Sequence, residues 1–419
     1  MEFGSEVDRR REAIRLIDEG VPVAETARRI GRSRWWVYDW LKRFRAEGDD
    51  GLVDRSPAPK TRPAKTPPET VVKILVTRST LEGRPEASIG GMSILAQMER
   101  DGWPDIPSVA TIERILSGAG VTRPSRKRDR SREVKLPLPK VTDPGVWQQA
   151  DWVQDRYLKG GIRFNSLQVA DVGSHGLESG QYLDRKILTA VTFVVERAWP
   201  KLSIPQGIST DNAFAKTTHK DIPFTMWVMT CLYFGVEVIV GPPGRHGWTN
   251  HIEAVNNEWQ NRTIRAEHYN TIDELRQGSN RAVEWLNTCR PILNPDLAGT
   301  RYPADYIAAH ADVLQWPPTI NIADHINAKG ALTLPLCNGR VTFVRHVTDH
   351  HTINIALTHW PVPDTIPIGG LVTATITTGD RQLKIRHQGE QVARFDYPIN
   401  HTIKEPYYPP ADQSLLHHV

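Results

Sequence analysis

Apolar positions along the chain recur with different periods in successive segments. Between residues 6 and 50 the spacing is helical. Val7 to Glu19 reads as one helix ending at Gly20, and Val23 to Ile30 as a second closed by Gly31. A third begins after Ser33, whose hydroxyl suits an N-cap. It buries Val37, Trp40, Leu41 and Phe44, spaced i, i+3, i+4, i+7. Ala27, Gly31 and Val37 have the spacing of a helix-turn-helix: a small residue for close approach, a glycine for the turn, an apolar anchor for the last helix. The outward side chains Arg34, Trp35, Tyr38 and Lys42, with Arg32 and Ser33 just before them, can reach phosphates and base edges.

Residues 51–68 are Pro-rich and carry Arg62 and Lys65, which predicts an extended basic linker able to lie along DNA. Residues 69–120 repeat the three-helix pattern, with helices expected at Val71–Leu81, Ser88–Arg100 and from Ser108 to Gly118. This is a second helix-turn-helix, with Ser108, Thr111 and Arg114 at its outer side. Residues 121–144 form another linker. Eight of positions 121–140 are basic and two acidic, and Arg126, Lys127, Arg128 and Arg130 are the candidate DNA contacts.

From 145 to 312 the pattern changes. Trp147–Trp152, Ser166–Val172 and Gln181–Leu183 read as strands, and Lys186–Ala198 as a helix. Gly207–Thr210 is a short strand, Met226–Gly235 a helix, Val236–Val240 a strand and Asn250–Arg265 an amphipathic helix. That order predicts a mixed α/β sheet. From 325 to 400, short alternating runs with turns at Thr378-Gly379-Asp380 and Gln388-Gly389-Glu390 predict a small separate β-barrel, followed by a tail over 401–419.

Composition adds two constraints. The net charge of +4 is uneven: residues 1–140 hold 28 basic and 21 acidic side chains, the remainder 24 and 27. An anionic partner at the N-terminal end is expected, with nucleic acid first. The three cysteines, Cys231, Cys289 and Cys337, are far apart and form no CxxC pair, which argues against a disulfide framework and a thiolate zinc site. No apolar run approaches the roughly 20 residues of a membrane helix. Met1 to Ser5 reads as a cloning remnant, and a cytoplasmic, nucleoid-associated protein is expected.

Three acids stand at positions where sites are commonly built. Asp151 follows Trp147 to Ala150, Asp211 follows Gly207 to Thr210, and Glu253 lies in the first turns of a helix. Carboxylate oxygens suit hard cations such as Mg²⁺, and two such ions about 3.5–4 Å apart can hold the attacking and leaving oxygens of a phosphodiester displacement. Asp151 is the candidate bridging ligand. Asp171 is its substitute and Glu258 the rival of Glu253. Five positions further along the helix, Glu258 points roughly 140° away. Asn257 and Gln260, four and seven residues after Glu253, are candidate DNA contacts beside the site. His346, His350 and His351 lack a zinc-ligand pattern and read as surface residues.

Taken in order, these residues resemble the retroviral-integrase superfamily, and most closely the bacterial insertion-sequence transposases with an integrase-type core. Trp147 with Asp151, Val169 to Ser174, and Thr210-Asp211-Asn212 carry the resemblance. Gly241-Pro242-Pro243, Gly247 to Asn250, Glu253 with Asn257, Asn287, Arg290-Pro291 and Tyr302-Pro303-Ala304 extend it. Asp211 and Glu253 are 42 positions apart, several more than usual, and Ala213 stands where glycine is common. The resemblance implies an RNase H-like catalytic core whose Asp151, Asp211 and Glu253 bind two Mg²⁺ ions, with Mn²⁺ able to substitute. It implies a DDE transposase that binds the terminal inverted repeats of its element, frees 3′ ends and joins them to target DNA. Double-stranded DNA and further copies of the chain, at least a dimer, are the implied partners. Two other readings stand beside it: a catalytically silent DNA-binding protein, and a nuclease that only hydrolyses.

Overall fold

Gly31 takes φ +71°, the left-handed conformation that favours glycine, and ends helix α2 (Val23–Ile30). It turns the chain from α2 toward α3 (Arg34–Glu47), while α1 (Glu6–Asp18) completes the trio. Ser33 caps α3 by accepting from the Trp36 amide at 3.1 Å. Ala13, Leu16 and Ile30 form one small apolar cluster, and Ile14, Trp40, Leu41 and Leu52 another. Arg34, Trp35, Tyr38 and Lys42 are exposed, as the helical period predicts.

The computed structural model describes residues 4–55, 66–122, 141–217, 224–243, 250–292, 302–414 and 416. Arg62, Lys65, Arg126, Lys127, Arg128 and Arg130 lie outside the described residues, as do Gly247, Trp248 and Thr249. The chain divides into two compact units, Met1–Thr66 and Pro67–Val419.

The second unit opens with helices α4 (Pro68–Glu82), α5 (Gly91–Arg100) and α6 (Val109–Gly118) around Ile74, Leu81, Ile94, Met98, Ile112 and Leu116. Arg114 and Ser108 are exposed. Thr111 is half-buried and its hydroxyl accepts from Ser108 at 3.2 Å. These helices are tied to the sheet unit: Arg100 donates to the Cys289 carbonyl at 3.2 Å, and Arg262 donates to Ser88.

The sheet carries strands β1 (Trp147–Tyr157), β2 (Arg163–Asp171), β3 (Leu177–Tyr182), β4 (Gly207–Thr210) and β5 (Glu237–Val240). It continues through β6 (Arg340–His346), β9 (Leu371–Thr377), β10 (Gln382–His387) and β11 (Glu390–Asp396). The order is β11-β10-β9-β6-β5-β4-β1-β2-β3, and β7 (Thr352–Ile355) with β8 (Thr358–Pro361) forms a separate hairpin. Strands β1, β4, β5 and β6 run parallel; β2, β3 and β9 to β11 are antiparallel to their neighbours.

The separate C-terminal barrel expected over 325–400 is therefore corrected. Val341, Thr342 and Phe343 of β6 pair with Val238, Ile239 and Val240 of β5, so the late strands extend the core sheet and leave it open. All four residues of β5 are buried, as in a central parallel strand covered on both faces, and β4 and β6 pair with its two edges. One apolar cluster runs without interruption from Ala150 through Val238 and Val341 to Ile399.

Helices α7 (Ile187–Phe193), the π turn Val194–Ala198 and α8 (Trp199–Leu202) follow β3. Next come α9 (Asn212–Ala215), α10 (Met226–Tyr233), α11 (Asn250–Arg262), α12 (Ile272–Thr288) and α13 (Pro303–Ala309). A second cluster joins α11 and α12 to the sheet through Val153, Phe164, Leu177, Ile252, Trp259 and Leu286.

Candidate active site

The site forms where α11 starts against the middle of β1. The amide of Ile252 donates to Gln149 Oε1 at 3.0 Å, and Asn256 Nδ2 donates to Asp151 Oδ2 at 2.9 Å. These bonds, one before and one after Glu253, fix the first turns of α11 over Asp151. The strand itself is held from below: Trp147 Nε1 donates to Ser209 Oγ on β4 at 3.0 Å. Asp211 follows directly on β4 and caps α9, accepting from the Ala213 amide at 2.9 Å.

Burial is the main cause that pushes Asp151 up to about 6; the charges of Asp211 and then Glu253 add to it. Burial likewise raises Asp211, while the Ala213 and Phe214 amides and the Arg185 charge pull it back. The three acids thus share one electrostatic neighbourhood in which like charges oppose one another. Among the described residues, no three His, Cys, Asp or Glu side chains are drawn together as a ready-made cage for one ion.

The two rival acids have other work. Asp171 is fully buried and accepts from the Gly145 amide at 2.9 Å and from the Ser174 amide and hydroxyl, each at 2.7 Å. It organises the turn after β2. Glu258 is ion-paired with Arg290 at 2.6 Å, and Arg290 also donates to the His175 carbonyl at 2.7 Å. Asn287 pairs with both backbone groups of Leu177, at 2.8 and 2.9 Å. Arg290 and Asn287 are therefore braces of the core.

The expected DNA contacts on α11 need correction at Gln260. Only 8% of Gln260 is exposed, and its Oε1 accepts from Arg156 at 3.1 Å, because it falls on the buried face of α11 with Ile252, Val255, Asn256 and Trp259. Asn257 is exposed, accepting from Arg265 at 2.7 Å. The residue that reaches the site is Asn256, three positions after Glu253; counting by three as well as four would have found it. Arg185, beyond the end of β3, was also missed, since nothing local in the sequence links it to Asp211. His346 is half-buried, with its Nδ1 2.9 Å from the Gly369 carbonyl, whereas His350 is well exposed.

Residues 5–53 match the sequence profile of a homeodomain-like domain, and residues 36–116 match a second homeodomain-like profile. No curated protein matches the chain. The structure is similar to the catalytic core domain of HTLV-2 integrase in complex with magnesium, with 14% identity, a TM-score of 0.29, and coverage of 40% of this chain and 99% of that one. It is also similar to the BIV integrase catalytic core, with 13% identity, a TM-score of 0.29, and coverage of 40% and 98%. A chain of the simian T-cell lymphotropic virus intasome aligns with 12% identity, a TM-score of 0.32, and coverage of 67% and 87%.

Proposed function

We propose that the chain is a DDE transposase that binds the ends of its element and joins them to target DNA. What supports this reading is that Asp211 and Glu253, from β4 and α11, lie near enough to Asp151 on β1 for their charges to raise it. An all-oxygen set of mutually repelling carboxylates fits hard divalent cations, because a cation relieves the repulsion. Asp151, Asp211 and Glu253 would hold Mg²⁺ or Mn²⁺. When bound, such ions activate water or a 3′-hydroxyl and stabilise the leaving oxygen.

The remaining roles belong to the chain. Asn256 orients Asp151 through its Oδ2. The Ala213 amide holds Asp211 through its Oδ1. Arg185, exposed beside Asp211, contacts the phosphate backbone of the incoming strand. The helix-turn-helix units select the DNA end, with Arg34, Trp35, Tyr38 and Lys42 on one recognition helix and Ser108, Thr111 and Arg114 on the other. Because two ends must be processed together, the working form is at least a dimer.

The test uses labelled element-end duplex with Mg²⁺ or Mn²⁺, comparing the wild type with Asp211→Asn. Joined products, reduced at least 100-fold in the variant, support the proposal. Cleavage without joining supports a hydrolytic nuclease, and binding without cleavage a silent DNA-binding protein. An Asp211→Asn variant as active as the wild type would overturn the site.

A further inference from the structure

Arg345 of β6 is 6% exposed, and its guanidinium has only neutral partners. It donates to the carbonyls of Val344 at 2.8 Å, Gly241 at 3.1 Å and Asn354 at 3.1 Å, and to Asn212 Oδ1 at 2.7 Å. Burial, with no acid beside it, pushes the group down to about 10. A buried cation without a counter-charge is costly to keep, and an anion arriving from outside would supply the missing charge.

The surroundings are those of an anion site. Arg345 lines a cavity of about 520 Å³ together with Asn212, Lys216, Thr217, Pro243 and His346. Thr217 is 5% exposed, yet its hydroxyl has no hydrogen-bond partner. His346 Nδ1 lies 2.9 Å from the Gly369 carbonyl, leaving Nε2 buried and unpartnered. No acidic side chain lines the cavity among the described residues. Cationic and hydroxyl donors, from Arg345, Lys216 and Thr217, thus line the cavity beside Asn212, the residue after Asp211. A cluster of N–H and O–H donors around a guanidinium is the chemistry that recognises a phosphate.

We propose that this cavity holds a backbone phosphate of the DNA strand lying beside Asp211. The position "beside the reacting strand" rests on the catalytic reading given above; the phosphate site does not. The late strands would then position DNA as part of the core, with Arg345 serving as a positioning residue.

Replacing Arg345 would also cut the bonds that tie β6 to Gly241 and Asn354, so Lys216→Ala and Thr217→Val carry the test. Affinity of the full chain for a fluorescent duplex is measured in EDTA over a salt titration. Lys216→Ala is expected to weaken binding about threefold to tenfold and to reduce the slope of log K against log salt by about 0.9, the loss of one phosphate contact. Thr217→Val is expected to weaken binding at every salt concentration with the slope unchanged, which an exposed lysine acting alone would not produce. Wild-type affinity and slope in both variants would overturn the proposal. If inorganic phosphate raises the melting temperature of the wild type but not of Thr217→Val, while duplex binding is equal in the two, the cavity takes free phosphate and the DNA assignment falls. No cleavage is read here, so an inactive site in the joining assay and an empty phosphate cavity give different results.

Discussion

Single residues separate the working acids from the structural ones. Asn256 donates to Asp151 and favours its ionised form. Removing a hydrogen bond to a charged group costs roughly 1.5–3 kcal/mol. Asn256→Ala is therefore expected to lower the single-turnover cleavage rate roughly 10- to 100-fold, with Asn256→Asp no better, since a fourth acid would add repulsion. Asp171 makes a different prediction. Burial raises it from 3.8 to about 6. Folding therefore favours its protonated form, and its contribution is fully present below pH 4 and lost as pH rises through about 6. A displacement of that size is worth roughly 3 kcal/mol. The urea stability of the wild type relative to Asp171→Asn should fall between pH 4 and pH 7; a pH-independent difference would exclude this role. Asp171 and Glu258 both look like plausible catalytic acids in the sequence. What removes them is the partners they hold, Ser174 and Gly145 for one and Arg290 for the other, and none of those contacts is local enough to read from spacing.

At the level of elements, the helices of the first unit were legible because each carries its own period and its own stop. Gly31 and Ser33 are the clearest signals. Gly31→Ala would place a Cβ in open space, so its cost, roughly 1 kcal/mol, comes from the positive φ alone. Ser33→Ala removes the cap and is expected to cost about 1 kcal/mol. Urea unfolding of residues 1–66 followed by helical circular dichroism checks both. The sequence reading assigned no element to 272–288, which forms α12. Its buried stripe runs through Leu275, Gly278, Ser279, Ala282, Val283, Trp285 and Leu286, and three of those seven are too small to register as an apolar face. They are small because the helix packs closely: a Cβ on Gly278 would lie 2.2 Å from the Tyr269 hydroxyl. Strand membership was the least legible property. An alternating run looks the same whether its sheet is separate or continues another, and only the pairing of Val341 with Val238 decides it.

For the whole molecule, the continuous sheet makes the late strands part of the same folded unit as β1, β4 and β5. A chain ending at residue 330 would lose β6 and uncover β5, whose four residues are all buried in the intact sheet. Limited proteolysis of that truncated chain is expected to degrade 141–330 while leaving a fragment near residues 4–55, which has apolar clusters of its own. Survival of 141–330 as a protected fragment would show that the strands after 330 are dispensable for folding.

The parallel pairing of Val240 with Phe343 also sets a clock on synthesis. At roughly 5–20 residues per second, the 103 residues added after Val240 to reach Phe343 take on the order of 5–20 s to be made. During that interval β5 waits for its neighbour, while the first helical unit has been complete since early in translation. A ribosome still at work would thus display the finished helical unit ahead of an incomplete sheet. On the function proposed above, DNA binding would precede joining chemistry in the life of every copy, by construction of the sheet.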